Sequence, residues 1–135
     1  MIKANEIRVG NWLNDPRPLT EFNKKYVNNP DNGYFIATAR DIQFAEEFEP
    51  ITLTEEILLK CGFKKTEEYY AADEENVDVY TIGCFDIAFI DNEYKLWISI
   101  DEDSYYNFAW TEIKYLHQLQ NLYFSLTGQE LEVNL

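Results

Sequence analysis

Apolar and polar positions alternate in short segments near the start of the chain. The segment EIRVGNWL, residues 6–13, has period two and one glycine that permits a bend, as in a β-strand. GYFIATAR and DIQFAEEF, residues 33–40 and 41–48, predict two further strands. Residues 14–32 contain three of the four prolines, which predicts a long surface excursion. Residues 1–49 are therefore expected to form a small curved β-unit, such as an incomplete barrel.

The same alternation continues through the middle of the chain. It covers four segments, residues 77–83, 84–90, 94–100 and 105–110. The triplet DNE at 91–93 separates the second segment from the third, and Asp and Asn tolerate the positive φ of a tight hairpin turn. This pattern predicts an antiparallel meander of about four strands.

A short helix of about two turns is predicted between Thr54 and Gly62. The Thr54 hydroxyl can accept a hydrogen bond from a first-turn N–H, and two glutamates follow it at the positive end of the helix dipole. Gly62 suits the left-handed position after the last turn, and Phe63 can pack back on that turn.

A longer closing helix is predicted in TEIKYLHQLQNLYFSLTG, with Thr111 as its cap and Gly128 at its end. One broad apolar stripe, wide enough to lie on a sheet, consists of Tyr115, Leu116, Leu119, Leu122, Tyr123 and Leu126. The only histidine, His117, lies off this stripe. It shares a second, semi-apolar face with Ile113, Gln120, Asn121 and Phe124. Another part of the chain or a partner must cover that face.

Together these elements predict an α+β fold in one domain over residues 1–135. The domain has two expected parts, the β-unit of residues 1–49 and a helix–meander–helix of residues 50–135. The closing helix is expected to pack on the sheet.

The formal net charge of −14 is concentrated in the middle of the chain. Residues 1–40 carry a net +2, residues 41–110 carry −14 and residues 111–135 carry −2. A surface this acidic repels phosphates, so direct binding to nucleic acid is not expected. Solubility explains such acidity most simply, and mimicry of a nucleic acid, to occupy a DNA-binding protein, is the alternative.

The sequence lacks the local motifs of most catalytic and cofactor-binding sites. It has no glycine-rich phosphate loop, no Gly-x-Ser-x-Gly, no His-Glu-x-x-His and no Cys-x-x-Cys. Its two cysteines, Cys61 and Cys84, are too few for a disulfide scaffold and lack metal-pair spacing. We therefore expect no cofactor and no metal site. The sequence shows no signal peptide or membrane-spanning run, so a cytoplasmic protein is expected.

An enzyme would have to combine His117 with a nucleophile or an acid that is distant in sequence. Cys61, Cys84 and Asp101 are the available partners, because such pairs meet in space. Buried, inert cysteines and a solvated acidic turn at residues 101–103 explain the same residues more simply.

Three segments resemble a family of small uncharacterised proteins carried by prophages and other mobile elements of Bacteroidetes-type gut bacteria. They are EIRVGNW, PITLTEEILLKCGF and EIKYLHQLQNLYFSLTGQEL, at residues 6–12, 50–63 and 112–131. The match covers about a third of the positions. The resemblance implies a bacterial or phage cytoplasmic setting, and it assigns no activity and no site residues. The excursion at residues 14–32 departs from the family pattern.

The absence of catalytic motifs and the second helix face favour a non-enzymatic accessory protein that binds a host or phage protein. The candidate interaction surface comprises Ile113, His117, Gln120, Asn121 and Phe124, together with the outward tyrosines Tyr70 and Tyr105. Two alternatives remain at this point. The helix face could pack on the N-terminal β-unit, or a homodimer could cover Phe124 without a foreign partner.

Overall fold

The computed structural model describes residues 2–18, 20, 27–29, 32–70, 75–98 and 111–135. The chain divides into two compact units. Unit 1 comprises Met1–Thr52, Tyr115–Leu131 and Leu135, and unit 2 comprises Leu53–Lys114 and Glu132–Asn134. The first boundary lies close to the expected division after residue 49. The closing helix, however, belongs with the N-terminal segment and not with the meander.

The helices and strands of the described residues are short apart from the closing helix. In chain order they are a 3-10 turn at Ala4–Glu6, β1 at Trp12–Asn14, β2 at Tyr34–Ile36, α1 at Ala39–Ile42, a second 3-10 turn at Ala45–Glu47, α2 at Glu55–Lys60, β3 at Lys64–Tyr70, β4 at Glu75–Ile82, β5 at Phe85–Ile90, β6 at Glu93–Ile98, β7 at Thr111–Glu112 and α3 at Leu116–Thr127.

Unit 1 is built around the antiparallel pair β1 and β2, in which Leu13 lies opposite Phe35. Backbone hydrogen bonds in both directions, 2.9 and 2.8 Å long, join Asn14 to Glu49 on the other side of β1. One cluster of buried apolar side chains in this unit consists of Ile2, Ile7, Leu13, Phe35, Ala37, Ala45 and Phe48. This cluster draws on the N-terminal segment, the small sheet and the turn that follows it, and α3 adds the fully buried Leu116 and Leu119 to the core of the unit.

The strand predictions for the N-terminal segment are largely wrong. Residues 6–13 are extended only from Trp12 onwards, and residues 33–40 only at Tyr34–Ile36. Residues 41–48 are largely helical rather than extended, since they include the second half of α1 and the whole second 3-10 turn. The Asp41 carboxylate accepts hydrogen bonds from the Thr38 N–H and hydroxyl, both 2.8 Å long, which starts a helix there.

In unit 2, the prediction of a short helix after Thr54 is confirmed. The Thr54 hydroxyl accepts a hydrogen bond from the Ile57 N–H at 3.3 Å, as an N-cap does. Gly62 has φ +89°, and the Phe63 N–H donates to the carbonyl of Leu58 at 3.2 Å. This bond, together with that from the Gly62 N–H to Leu59, closes α2 as a Schellman motif.

The described residues of the meander form a five-stranded antiparallel sheet in the order β3-β4-β5-β6-β7. The predicted turn is confirmed, since Asp91 and Asn92 both have positive φ, 54° and 63°. The predicted strand at residues 105–110 lies outside the described residues. The N-cap predicted at Thr111 is wrong. Thr111 lies in β7, where it pairs with Leu96 of β6, and the residue at the N-cap position of α3 is Tyr115. Gly128 ends α3 as expected, with φ +72°.

The α+β fold class is confirmed, with two antiparallel sheets and a C-terminal helix packed on a sheet. That helix, α3, contacts β1 of the small sheet in unit 1. The described strands form no closed barrel. No helix among the described residues is both long and apolar enough to cross a membrane.

Candidate functional site

The side chain of Gln120 fastens α3 to the strand-forming segment of unit 1. Its carbonyl oxygen accepts a hydrogen bond from the Trp12 N–H at 2.8 Å, and its amide donates to the Gly10 carbonyl at 3.2 Å. Only 2% of Gln120 is exposed. One buried amide thus satisfies a donor and an acceptor of the backbone just before and within β1.

A second amide, Asn121, continues this hydrogen-bond network. Its carbonyl oxygen accepts from the Asn11 amide at 2.8 Å, and its own amide donates to the Glu6 carbonyl at 3.1 Å. Asn11 is fully buried, and its side-chain oxygen accepts from the Arg8 N–H at 2.8 Å. The network fixes the backbone of residues 6–12 against α3.

Arg8 covers the outer end of the same helix face. Its guanidinium lies 4.5 Å from the centroid of the Phe124 ring. The same group donates a hydrogen bond to the backbone carbonyl of Gln120 and pairs with both carboxylate oxygens of Glu130. Phe124 remains 40% exposed. The stacked cation and its paired carboxylate therefore close part of this face from solvent.

The second helix face is thus largely covered within the chain. Ile113, His117 and Gln120 are 3%, 3% and 2% exposed, so in this conformation they offer no surface to a partner. Asn121 is half-buried, and Phe124 lies under Arg8. Ile113 lies in unit 2, where its N–H donates to the Tyr94 carbonyl at 2.9 Å. Tyr105 and the side chain of Tyr70 lie outside the described residues. The contacts of Gln120 and Asn121 match the alternative in which this helix face packs on the N-terminal segment.

His117 borders a cavity of about 520 Å³ in unit 1, which we call the His117 cavity. Its lining residues are Ile2, Glu6, Pro50, Tyr115, His117, Gln118 and Asn121. The His117 Nδ1 atom is buried and has no hydrogen-bond partner among the described residues. The imidazole lies nearly parallel to the Tyr115 ring, with centroids 5.8 Å apart. Burial lowers the pKa of His117, and the nearby Glu6 carboxylate opposes this shift.

We expect His117 to make the protein less stable as the pH falls below its ordinary pKa of 6.5. Because the folded-state pKa is lowered, the unfolded chain takes up the proton first, and the loss approaches about 1.4 kcal/mol per pH unit. Urea unfolding of the native protein and of His117→Asn at about pH 7.5 and about pH 5.5 isolates this effect, since all other titratable groups are shared. An identical change in both proteins would contradict the prediction.

Unit 1 also contains an open groove of about 610 Å³ beside β2, which we call the Phe44 groove. It is lined by Asp15, Arg17, Val27, Phe35, Ile36, Thr38, Arg40, Asp41, Phe44, Glu47 and Phe48. Phe35 and Phe48 are buried, with ring centroids 4.7 Å apart. Ile36 and Phe44 remain 40% and 46% exposed. The groove therefore combines buried aromatic rings with two exposed apolar side chains.

Charged groups of both signs line the Phe44 groove. The Asp15 carboxylate is 8% exposed and accepts from the Arg17 Nε and Nη2 atoms at 2.9 and 2.6 Å. These hydrogen bonds with Arg17 lower the pKa of Asp15, although burial opposes the shift. Arg40 is exposed and makes no ion pair with another described residue. Sequence patterns did not reveal this groove, because its helical wall was predicted as a strand.

The two cysteines lie in different surroundings. Burial raises the pKa of the Cys61 thiol to about 12, so at neutral pH it is protonated. Cys84 is exposed. The described part of the chain contains no group of three or more His, Cys, Asp or Glu side chains that could hold a metal ion. The acids of residues 101–103 lie outside it.

Comparisons of the chain with protein-family models, with curated proteins and with solved structures find no match. The geometry of the two sites in unit 1 is therefore the basis for assigning a function. The Phe44 groove is open and partly apolar, whereas the His117 cavity is lined by polar and apolar residues of the N-terminal segment and α3.

Proposed function

We propose that this protein is a non-enzymatic accessory protein that acts by binding another protein through the Phe44 groove. The observation that carries the proposal is the pair of apolar side chains, Ile36 and Phe44, that stay exposed beside buried aromatic rings. Exposed apolar side chains grouped around a concavity indicate a binding surface, whereas single scattered ones do not.

The composition of the groove favours a protein segment as the occupant. Protein interfaces have an apolar centre, a polar rim and an excess of aromatic residues and arginine. Phe35, Phe44 and Phe48 supply the centre, and Arg40 and Glu47 supply charges of both signs. A partner segment with a bulky apolar side chain, flanked by an acid facing Arg40, would complement this surface.

The cellular setting is part of the same proposal. The sequence resemblance described above supports a cytoplasmic protein of a prophage or other mobile element, with a host or phage protein as its partner. The acidity of the chain also supports a protein partner, since a net charge of −14 disfavours direct contact with nucleic acid.

The test is capture of partners from a bacterial lysate on the immobilised protein, compared between two matched variants. Phe44→Ser removes an apolar side chain of the groove, and Leu59→Ser removes one that is also 46% exposed but lies on α2 in unit 2. We expect Phe44→Ser to reduce capture of the specific partner at least about tenfold, as loss of an interface hot spot does. Leu59→Ser should capture that partner as the native protein does.

The comparison requires that both variants keep the native fold, which circular dichroism and thermal unfolding check. Equal capture by the native protein and Phe44→Ser would refute binding through the groove. Direct titration of the purified partner against both variants then gives the affinity ratio that the proposal predicts.

Mimicry of a nucleic acid is the second candidate, and the charge of unit 2 favours it. Unit 2 has sixteen acidic and five basic residues, a net −11 of the −14 carried by the chain. A basic, DNA-binding partner that leaves the immobilised protein at high salt, and binds Phe44→Ser normally, would support mimicry. Glu55 would contribute little to such an acidic array, because Lys65 pairs with it at 2.6 Å.

A further inference from the structure

We propose that the outer edge of β3 pairs with β3 of a second copy of this chain, so that the sheets of two copies join across a two-fold axis. This edge belongs to unit 2, whereas the Phe44 groove belongs to unit 1, and the proposal does not depend on protein binding at the groove. The observation that carries it is the stretch KKTEE at residues 64–68, whose pattern of charges is self-complementary in an antiparallel pair.

The edge of β3 is long and regular. Among the described residues β3 pairs with β4 alone, so it forms one end of the five-stranded sheet. The pairing continues without a bulge over the whole strand, from Lys64 opposite Thr81 to Tyr70 opposite Glu75. The strand also contains no proline, and prolines and bulges are common means of blocking an edge. β3 therefore offers a continuous row of backbone N–H and C=O groups to a further strand.

The charges of β3 favour one register for a second copy. A two-fold axis normal to the sheet pairs two copies of a strand antiparallel, with residues equally far from the axis opposite each other. With the axis at Thr66, Lys65 lies opposite Glu67 of the partner subunit, and Lys64 takes the position opposite Glu68 of the partner subunit. An axis at residue 65 or 67 would instead place two lysines or two glutamates opposite each other, which is unfavourable. The pattern thus selects a closed dimer with a single register.

The charged side chains at the start of β3 are accessible to a second copy. Lys64 and Glu67 are exposed and make no ion pair with another described residue. The side chain of Lys65 is 41% exposed, and its Nζ atom lies 2.6 Å from Glu55 and 3.7 Å from Asp78 of its own chain. An ammonium group has three donor hydrogens, so a carboxylate of the partner subunit can share it.

The charge of unit 2 also favours contact at this edge. Unit 2 carries a net −11, so two copies of it repel each other as a whole. Residues 64–68 contain two lysines and two glutamates, a net charge of zero, and those lysines are two of the five basic residues of unit 2. The edge of β3 is therefore a locally neutral part of an acidic unit, where the facing charges of two copies attract.

Sedimentation equilibrium of the native full-length chain, at about 1 to about 300 µM, tests for the dimer. An edge of this length makes a small interface, so we expect a dissociation constant in the micromolar range. Glu67→Lys should raise that constant at least about tenfold, because Lys65 then faces a lysine at both symmetry-related positions. Glu93→Lys makes the same charge change on an exposed residue of β6 and should dimerise as the native chain does.

Mixing two charge variants separates edge pairing from other causes of lost association. Lys65→Glu alone should also dimerise at least about tenfold more weakly, because its new carboxylate faces Glu67 of the partner subunit. In a mixture with Glu67→Lys, each 65–67 pair again joins a lysine to a glutamate, so a heterodimer should form. Circular dichroism checks that both variants are folded. The proposal is overturned by a native chain that stays monomeric over the whole range, by native-like dimerisation of Glu67→Lys, or by a mixture without heterodimer.

Discussion

Replacing Gln120 with leucine is expected to lower the free energy of unfolding by about 2–3 kcal/mol. Leucine fills a similar volume but cannot bond the Trp12 N–H or the Gly10 carbonyl, which the glutamine amide satisfies. A buried backbone donor left without a partner costs about 1–3 kcal/mol, and the partly buried carbonyl adds to this. The apolar surface gained by the leucine offsets only part of the loss.

Urea unfolding measures the total effect, and hydrogen exchange at the Trp12 amide locates it. The amide should exchange roughly 30- to 150-fold faster in the variant, since each 1.4 kcal/mol is a factor of ten. Gln129→Leu is the control, because Gln129 is exposed and lies just beyond α3. Its stability should stay within about 0.5 kcal/mol of the native value. An equally small change for Gln120→Leu would show that the two hydrogen bonds of the Gln120 side chain contribute little to the stability of the protein.

The elements that the sequence predicted correctly are those determined by local rules. The cap at Thr54 and the left-handed Gly62 enclose α2 within nine residues, and the Asp91-Asn92 turn lies between two alternating strands. In each case the residues that make the structure are neighbours along the chain. Side-chain period and turn chemistry then suffice to predict the result.

The alternation of apolar and polar residues in 41–48 led to a wrong strand prediction, because the apolar residues of this segment can also be read with a spacing of three. Ile42, Ala45 and Phe48 lie three positions apart, and the structure places them in or beside the core of unit 1. In so short a segment, the capping hydrogen bonds between Thr38 and Asp41 favour a helix over a strand. The Thr-x-x-Asp pattern was the available signal, and it would also have indicated one wall of the Phe44 groove.

The role of Gln120 could not be derived from the sequence in this way. Its partner, the Trp12 N–H, lies 108 residues earlier in the chain. No periodicity connects positions that far apart, and an amide on a helix face fits a solvated or an interacting position equally well. Helical spacing separates a polar flank from an apolar stripe, but it does not predict which of them is buried, since Gln120 is 2% exposed and Leu126 of the stripe is 50% exposed.

Replacing Gly33 with alanine is expected to destabilise the protein by about 3 kcal/mol or more. A Cβ atom at this position would lie 2.3 Å from the Asp15 carbonyl oxygen and 2.9 Å from the Asn14 Oδ1 atom. The first contact is with backbone, so no side-chain rotation relieves it, and overpacking of this kind costs about 1–3 kcal/mol or more. The Asp15 N–H also donates to the Gly33 carbonyl at 2.9 Å, so the strands cannot separate without losing that bond.

Gly83→Ala separates this steric effect from the usual cost of replacing a glycine. Gly83 has φ +55° and open space around its missing Cβ, so its cost of about 1–2 kcal/mol comes from backbone conformation alone. Gly33 lies outside the left-handed region, and its cost comes from the close approach to Asp15. Urea unfolding should therefore show a larger loss for Gly33→Ala. Equal or smaller destabilisation would mean that the end of the β1–β2 pair relaxes freely. Because Asp15 also lines the Phe44 groove, capture of the proposed partner should fall in Gly33→Ala and stay normal in Gly83→Ala.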